Sequence, residues 1–150
     1  MDYNTALNYI FSLDRFGGVA GLERITPVLE YFGNPQNKVK SLHIAGTNGK
    51  GSVAAMLNSC LQAAGYKVGL YMSPFIIEFC ERMQINSKFI PKQTLADLVE
   101  MVKDTCEKLD ITLGQFEFIT VVAFLYFEKD NCDYMVLETG LGGRCDATNT

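Results

Sequence analysis

The stretch Val39-Lys40-Ser41-Leu42-His43-Ile44-Ala45-Gly46-Thr47-Asn48-Gly49-Lys50-Gly51-Ser52 decides the fold. Its first half is a short β-like run, and its second half, from Gly46 to Ser52, sets a lysine among three glycines. Directly afterwards Val53, Met56, Leu57, Cys60, Leu61 and Ala64 recur at helical spacing, with Gly65 as the stop. A glycine loop between a strand and a helix lets main-chain N–H groups and the positive end of the helix dipole cradle phosphate. Lys50 would reach the β/γ-phosphates as a point charge, and Ser52 would offer a hydroxyl to the accompanying Mg²⁺. The strict phosphate-loop pattern is not met, because it demands glycine where Ile44 stands and Ser or Thr where Gly51 stands. A plain strand-to-helix turn is the alternative, but it leaves a lysine between two glycines at a helix N-terminus unexplained.

Working outward, a second strand over Lys67 to Tyr71 leads into Met72-Ser73-Pro74. Arg82 to Ile90 alternates around Asn86-Ser87 as a small hairpin, and Pro91 opens a helix from about Thr94 to Leu109. A further helix covers Phe116 to Lys129, and a third strand, Tyr134 to Leu137, ends in Glu138. Upstream, Leu7, Ile10 and Phe11, then Leu22, Ile25, Leu29 and Phe32, form two helical faces around the glycine-rich Phe16 to Gly21. Residues 1–37 read as a helical lead-in with a glycine loop, and residues 38–150 as an α/β part. Alternating strands and helices imply an open, mostly parallel sheet with helices on both faces.

In such a fold Glu138 emerges at the C-terminal edge of the sheet beside the glycine loop, where ligands bind and where a carboxylate can hold Mg²⁺ or its water. Ser73 ends the second strand at the corresponding place, as a ligand or as a turn residue before Pro74. Gly140 to Asn149 carries Arg144, Asp146 and Asn149, either as recognition groups or as a solvated turn. His43, the single histidine, alternates with Leu42 and Ile44 and reads as a core or edge residue rather than a ligand.

Composition narrows the classes. Of 150 residues 48% are hydrophobic and 20% charged, with 17 acidic against 13 basic residues. That apolar fraction excludes disorder, and a pI near 5.0 argues against a nucleic-acid footprint. The longest apolar run, Ile119 to Phe127, is interrupted by Thr120 and falls short of the ~20 residues of a membrane span. Five widely spaced cysteines, no CxxC pair and a polar N-terminus read as a reduced, cytoplasmic, soluble protein without a signal peptide.

The motifs together resemble the folylpolyglutamate synthase and dihydrofolate synthase family, within the Mur-ligase-like group of ATP-dependent amide ligases. The segments that carry the resemblance are Leu22-Glu23-Arg24, His43 to Ser52, Ala64 to Tyr71, Ser73-Pro74, Glu81-Arg82, Phe116-Glu117 and Leu137 to Asn149. Gly51 between the lysine and the serine favours the folate branch over the peptidoglycan ligases. The resemblance implies a phosphate-loop nucleotide-binding fold like the Mur-ligase central domain, with ATP and Mg²⁺ as cofactors. It also implies a reaction in which ATP phosphorylates a carboxylate of folate or dihydropteroate, and L-glutamate attacks the acyl phosphate to form an amide. Gly46, Thr47, Asn48, Gly49, Lys50, Gly51 and Ser52 would then hold the nucleotide, with Lys50 and Glu138 catalytic.

For the metal, the resemblance implies Ser73 and Glu138, whereas the local reading puts Ser52 there, so both serines stand as candidates. Segments matching Gly18, Val19 and Ala20, Gly114 to Glu117, and Cys145 to Ala147 would border the pterin site, making Phe116, Glu117 and Asp146 candidate substrate contacts alongside Arg82 and Arg144. Family members continue past the point matching Thr150 into a glutamate-binding domain. This implies a fragment, inactive alone, of a parent that is a monomer, and it predicts that the last strand and the 116–129 helix lack their cover, so that the fragment self-associates. Two other classes stay open: a phosphate-loop GTPase or kinase, against which stands the absence of an N-K-x-D motif, and a non-catalytic nucleotide-binding fragment.

Overall fold

The computed structural model describes residues 1–14 and 21–150. In chain order it contains α1 (Tyr3–Ser12), α2 (Ile25–Tyr31), β1 (Lys40–Ile44), α3 (Lys50–Ala63), β2 (Val68–Tyr71), β3 (Met83–Ile85), β4 (Lys88–Phe89), α4 (Lys92–Leu109), α5 (Gln115–Lys129) and β5 (Tyr134–Glu138). The five strands form one open sheet in the order β1-β5-β2-β3-β4. β1, β5 and β2 run parallel, and the hairpin adds two antiparallel strands, so the sheet is mixed. The hairpin turns at Asn86 and Ser87, both in left-handed backbone (φ 48° and 62°), a pair whose twist matches the flanking strands.

The two-residue period of the central strands distributes side chains to two cores. Val68, Leu70 and Val136 pack with Ala54 and Leu57 of α3 on one face. Tyr71, Met135 and Leu137 join the larger core under α5 on the other. Gly69 lies on that second face because the Phe127 ring occupies the space of a side chain: a Cβ there would come within 2.5 Å of the ring. Helices therefore cover both faces.

The expectation that β5 and the 116–129 helix lack cover is overturned. β5 is an interior strand between β1 and β2, buried from Met135 to Glu138, and ten of the fifteen residues of α5 are buried. α5 is apolar nearly all round because it lies between the sheet and a further layer made by α1, α2 and α4, which all contact it. The open surfaces lie elsewhere. β1 is an edge strand with Lys40, Ser41 and His43 exposed, and the outer side of α3 shows Val53 and Met56, the latter 61% exposed.

Among the described residues no helix is long and apolar enough to cross a membrane. All five cysteines are free thiols, with Cys60 and Cys145 exposed and the other three buried.

Candidate active site

The parallel strands β1, β5 and β2 end at the same edge of the sheet, and each hands the chain to a loop carrying candidate residues. β1 runs into Gly46–Gly49, and α3 begins at Lys50, a turn earlier than the apolar pattern marks. Gly49 adopts φ 78°, a left-handed conformation that costs a residue with a Cβ about 1–2 kcal/mol. No side chain caps α3, which leaves its first N–H groups available to an anion. Lys50 folds back along the loop, its Nζ donating to the Gly46 carbonyl at 2.9 Å.

Glu138 closes β5 and is buried, 6% exposed. Its Oε2 accepts the Ser73 main-chain N–H at 3.2 Å. The same oxygen lies 3.8 Å from where a Cβ on Gly51 would stand, so the carboxylate abuts the first turn of α3. Glu138, Ser73 and Gly51 thus come together from three elements far apart in sequence. Ser52, the next residue, is exposed on that turn.

The donors fit a hard divalent cation. Among the described residues no group of three or more His, Cys, Asp or Glu side chains converges. One buried carboxylate beside a serine and a glycine loop suits such an ion, Mg²⁺ for example. That ion keeps several waters and shares its remaining positions between a carboxylate or two and substrate phosphates.

Behind Glu138 a second group of residues forms a wall on the α5 side. Tyr71 is fully buried, and burial pushes its hydroxyl pKa up to about 12. Thr120 Oγ1 donates to the Phe116 carbonyl at 2.8 Å, so the Tyr71 hydroxyl, 3.2 Å away, donates to Thr120. The half-buried Phe116 ring lies against Tyr71, centroids 5.9 Å apart, and fills the space beside Gly140, where a Cβ would come within 2.7 Å of it. Arg82 sets its guanidinium 5.5 Å from both the Phe75 and Phe79 ring centres, with a buried Nε that has no hydrogen-bond partner. Glu117 is buried under this wall and paired with Arg24.

The loop after Glu138 is fastened from within. Asp146, 6% exposed, accepts the N–H groups of Gly140 (2.9 Å) and Leu141 (2.8 Å) on Oδ2, and the N–H and hydroxyl of Thr148 on Oδ1. Both its oxygens are thus engaged by the loop's own donors. The Thr148 hydroxyl donates to Asp146, so it accepts from His43, whose Nε2 lies 2.6 Å away. His43 is an edge-strand residue tying β1 to this loop. Arg144 is exposed, with its carbonyl accepting from Asn149 at 3.1 Å. Gly18, Val19 and Ala20 lie outside the described residues. Arg24, Tyr71, Thr120 and Thr148 were not singled out in the sequence as site residues. Arg24, Tyr71 and Thr148 lay in segments that carry the resemblance, and the signal for Thr120 was a polar residue inside the apolar run from Ile119 to Phe127.

No family profile matches the chain. It is 44% identical over 152 residues to the dihydrofolate synthase/folylpolyglutamate synthase of Bacillus subtilis strain 168, covering 98% of this chain and 35% of that protein. The chain belongs to the folylpolyglutamate synthase and dihydrofolate synthase family. A folylpolyglutamate synthase complex with AMPPCP and folate superposes with a TM-score of 0.95 at 40% identity, over 100% of this chain and 38% of that one. A bifunctional folylpolyglutamate synthase/dihydrofolate synthase with Mn, AMPPNP and L-glutamate bound superposes with a TM-score of 0.88 at 34% identity, over 99% of this chain and 36% of that one. The chain thus spans little more than a third of the length of these folylpolyglutamate synthase relatives.

Proposed function

We propose that this chain is the nucleotide-binding part of an ATP-dependent ligase that adds L-glutamate to folate, to dihydropteroate, or to both. The observation that carries the reading is the meeting of the buried Glu138 carboxylate with Ser73 and with Gly51 in the first turn of α3. In this reading Gly46 to Ser52 receive the triphosphate, with Lys50 supplying charge at the β/γ-phosphates and the first turn of α3 supplying N–H groups. Glu138 and a serine hydroxyl, from Ser73 or Ser52, hold Mg²⁺, which neutralises phosphate charge when bound. Phosphoryl transfer to a substrate carboxylate makes an acyl phosphate, and the glutamate amine displaces phosphate to form the amide. Phe116 and the loop at Gly140 border the substrate's aromatic head, and Arg82, Arg144 and the segment Gly18 to Ala20 are further candidate contacts.

The ligands in the solved relatives support this assignment: a nucleotide analogue and folate in one, and Mn, a nucleotide analogue and L-glutamate in the other. Because the relatives are nearly three times as long, the 150-residue chain by itself is expected to bind nucleotide but to turn over little or not at all.

The test is twofold. Calorimetric titration with AMPPNP and Mg²⁺ should show binding that Lys50→Ala weakens roughly 10- to 100-fold. A coupled ADP-release assay with folic acid or dihydropteroate plus L-glutamate should show negligible turnover. Turnover approaching that of a complete ligase would overturn the fragment reading, and GTP competing equally with ATP would favour a phosphate-loop GTPase instead.

A further inference from the structure

The first turn of α5 contains an ion pair that the chemistry above leaves unused. Glu117 is 7% exposed, and its Oε2 accepts the Gly114 N–H at 2.7 Å, capping the helix. Arg24 reaches the same carboxylate from the segment that enters α2: its Nη2 lies 3.0 Å from Oε2, and its Nε donates to Oε1 at 3.3 Å. Gripping both oxygens side-on uses the planar fork of a guanidinium, which a lysine does not reproduce. Removing Arg24 takes away the guanidinium that pairs with the buried Glu117 carboxylate.

The residue that this pair would hold in place is its neighbour in sequence. Phe116 precedes Glu117, packs against Tyr71, and fits beside Gly140 only because glycine has no Cβ there. Its ring is half-buried between Tyr71 and Gly140, so a rotation of the α5 first turn shifts it relative to both. The turn is also tied to α1 and the residues just after it: the Gln115 N–H donates to the Asp14 carbonyl at 2.8 Å, and its Nε2 to the Ile10 carbonyl of α1 at 3.0 Å. Those two bonds fix where the helix begins. The Arg24–Glu117 pair grips the same turn from the α2 side.

We propose that Arg24 is a positioning residue, which through Glu117 sets the rotation of the α5 first turn and thereby holds the Phe116 ring in place as a wall of the folate head site. This rests on the folate reading above, since the ring has that role only if an aromatic substrate binds there.

The experiment uses the 150-residue chain with phenylalanine ring labels for NMR, titrated with folic acid and separately with AMPPNP and Mg²⁺. Glu117→Gln keeps an oxygen for the Gly114 cap but removes the charge, which separates the helix cap from the ion pair. The expected result is a shifted Phe116 ring signal and folic acid binding weakened about tenfold in Glu117→Gln and in Arg24→Gln, with nucleotide affinity unchanged. Arg24→Lys should recover part of the loss, and the double variant should be no weaker than either single one, because both break the same link. A folded Glu117→Gln chain with an unmoved Phe116 signal and folic acid affinity within twofold of the original would overturn the proposal. If the original chain binds nucleotide but no folic acid, the folate reading of the site fails, and an unmoved Phe116 signal then overturns the positioning role separately.

Discussion

The Ser73 main-chain N–H donates to the Glu138 carboxylate at 3.2 Å, joining the end of β2 to the end of β5 across residues 65 positions apart. That bond keeps a buried carboxylate beside the first turn of α3, where the proposed cation would sit between it and a phosphate. Glu138→Gln preserves the shape and can still accept from Ser73, but it loses the charge. Nucleotide affinity measured by calorimetry in the presence of Mg²⁺ should fall roughly 10- to 100-fold, while removing the metal with EDTA should bring the original chain and the variant to the same weak affinity. Equal affinities in the presence of Mg²⁺ would rule out a metal role for Glu138.

Lys50 donates to the Gly46 carbonyl at 2.9 Å, so its ammonium stays at the mouth of the glycine loop rather than extending into solvent. A charged hydrogen bond to phosphate contributes about 1.5–3 kcal/mol, so Lys50→Ala should weaken nucleotide binding roughly 10- to 100-fold. Its thermal midpoint should barely move, because the side chain supports no core. Gly49→Ala should do the opposite at first, lowering stability by about 1–2 kcal/mol through its φ of 78°. A circular dichroism melt beside each titration separates the two effects.

Two glycines that look alike in sequence should behave differently. A Cβ at Gly69 meets the Phe127 ring at 2.5 Å, and that ring is fully buried, so Gly69→Ala should lower stability by about 1–3 kcal/mol without touching the site. In a domain of this size that is a fall of roughly 2–12 °C in melting temperature. At Gly140 the obstacle is the half-buried Phe116 ring, which has room to swing outward. Gly140→Ala should therefore melt close to the original and lose folic acid affinity. The reverse pattern, a large melting shift at Gly140 and a small one at Gly69, would contradict this assignment of the two rings.

How far the sequence goes is visible in these residues. The order of strands and helices was legible because apolar period, glycine stops and the Asn86-Ser87 turn act locally, and the phosphate loop was legible because it is one continuous segment. That Glu138 and Ser73 would share a sheet edge followed from strand direction alone. The layer over α5 was not legible, because nothing in an apolar helix says whether its second face meets helices or solvent, and so β5 and α5 were expected to lie bare when β1 and α3 are the open elements. Asp146 stood open between recognition group and turn residue, because spacing alone does not show that a loop folds so that four of its own donors reach one carboxylate. The Arg24–Glu117 pair spans 93 positions, a distance over which no spacing rule operates.

Burial also sets a response to alkali. The Cys106 and Cys132 thiols are pushed up to about 11 by burial, from an ordinary value of 9.0. The unfolded chain releases these protons near pH 9, whereas the folded chain keeps them until about 11. Between those limits the folded state binds more protons than the unfolded one, so stability falls as pH rises through the window and is fully present below it. Urea midpoints measured from pH 7 to 10 should stay level to about pH 8.5 and then decline, and replacing both cysteines by alanine should flatten that decline. At pH 8 a thiol reagent should label the exposed Cys60 and Cys145 quickly, and Cys80, Cys106 and Cys132 only as the chain opens. Rapid labelling of all five in the folded chain, or a decline left unchanged by the double replacement, would show that these thiols are not held in the core.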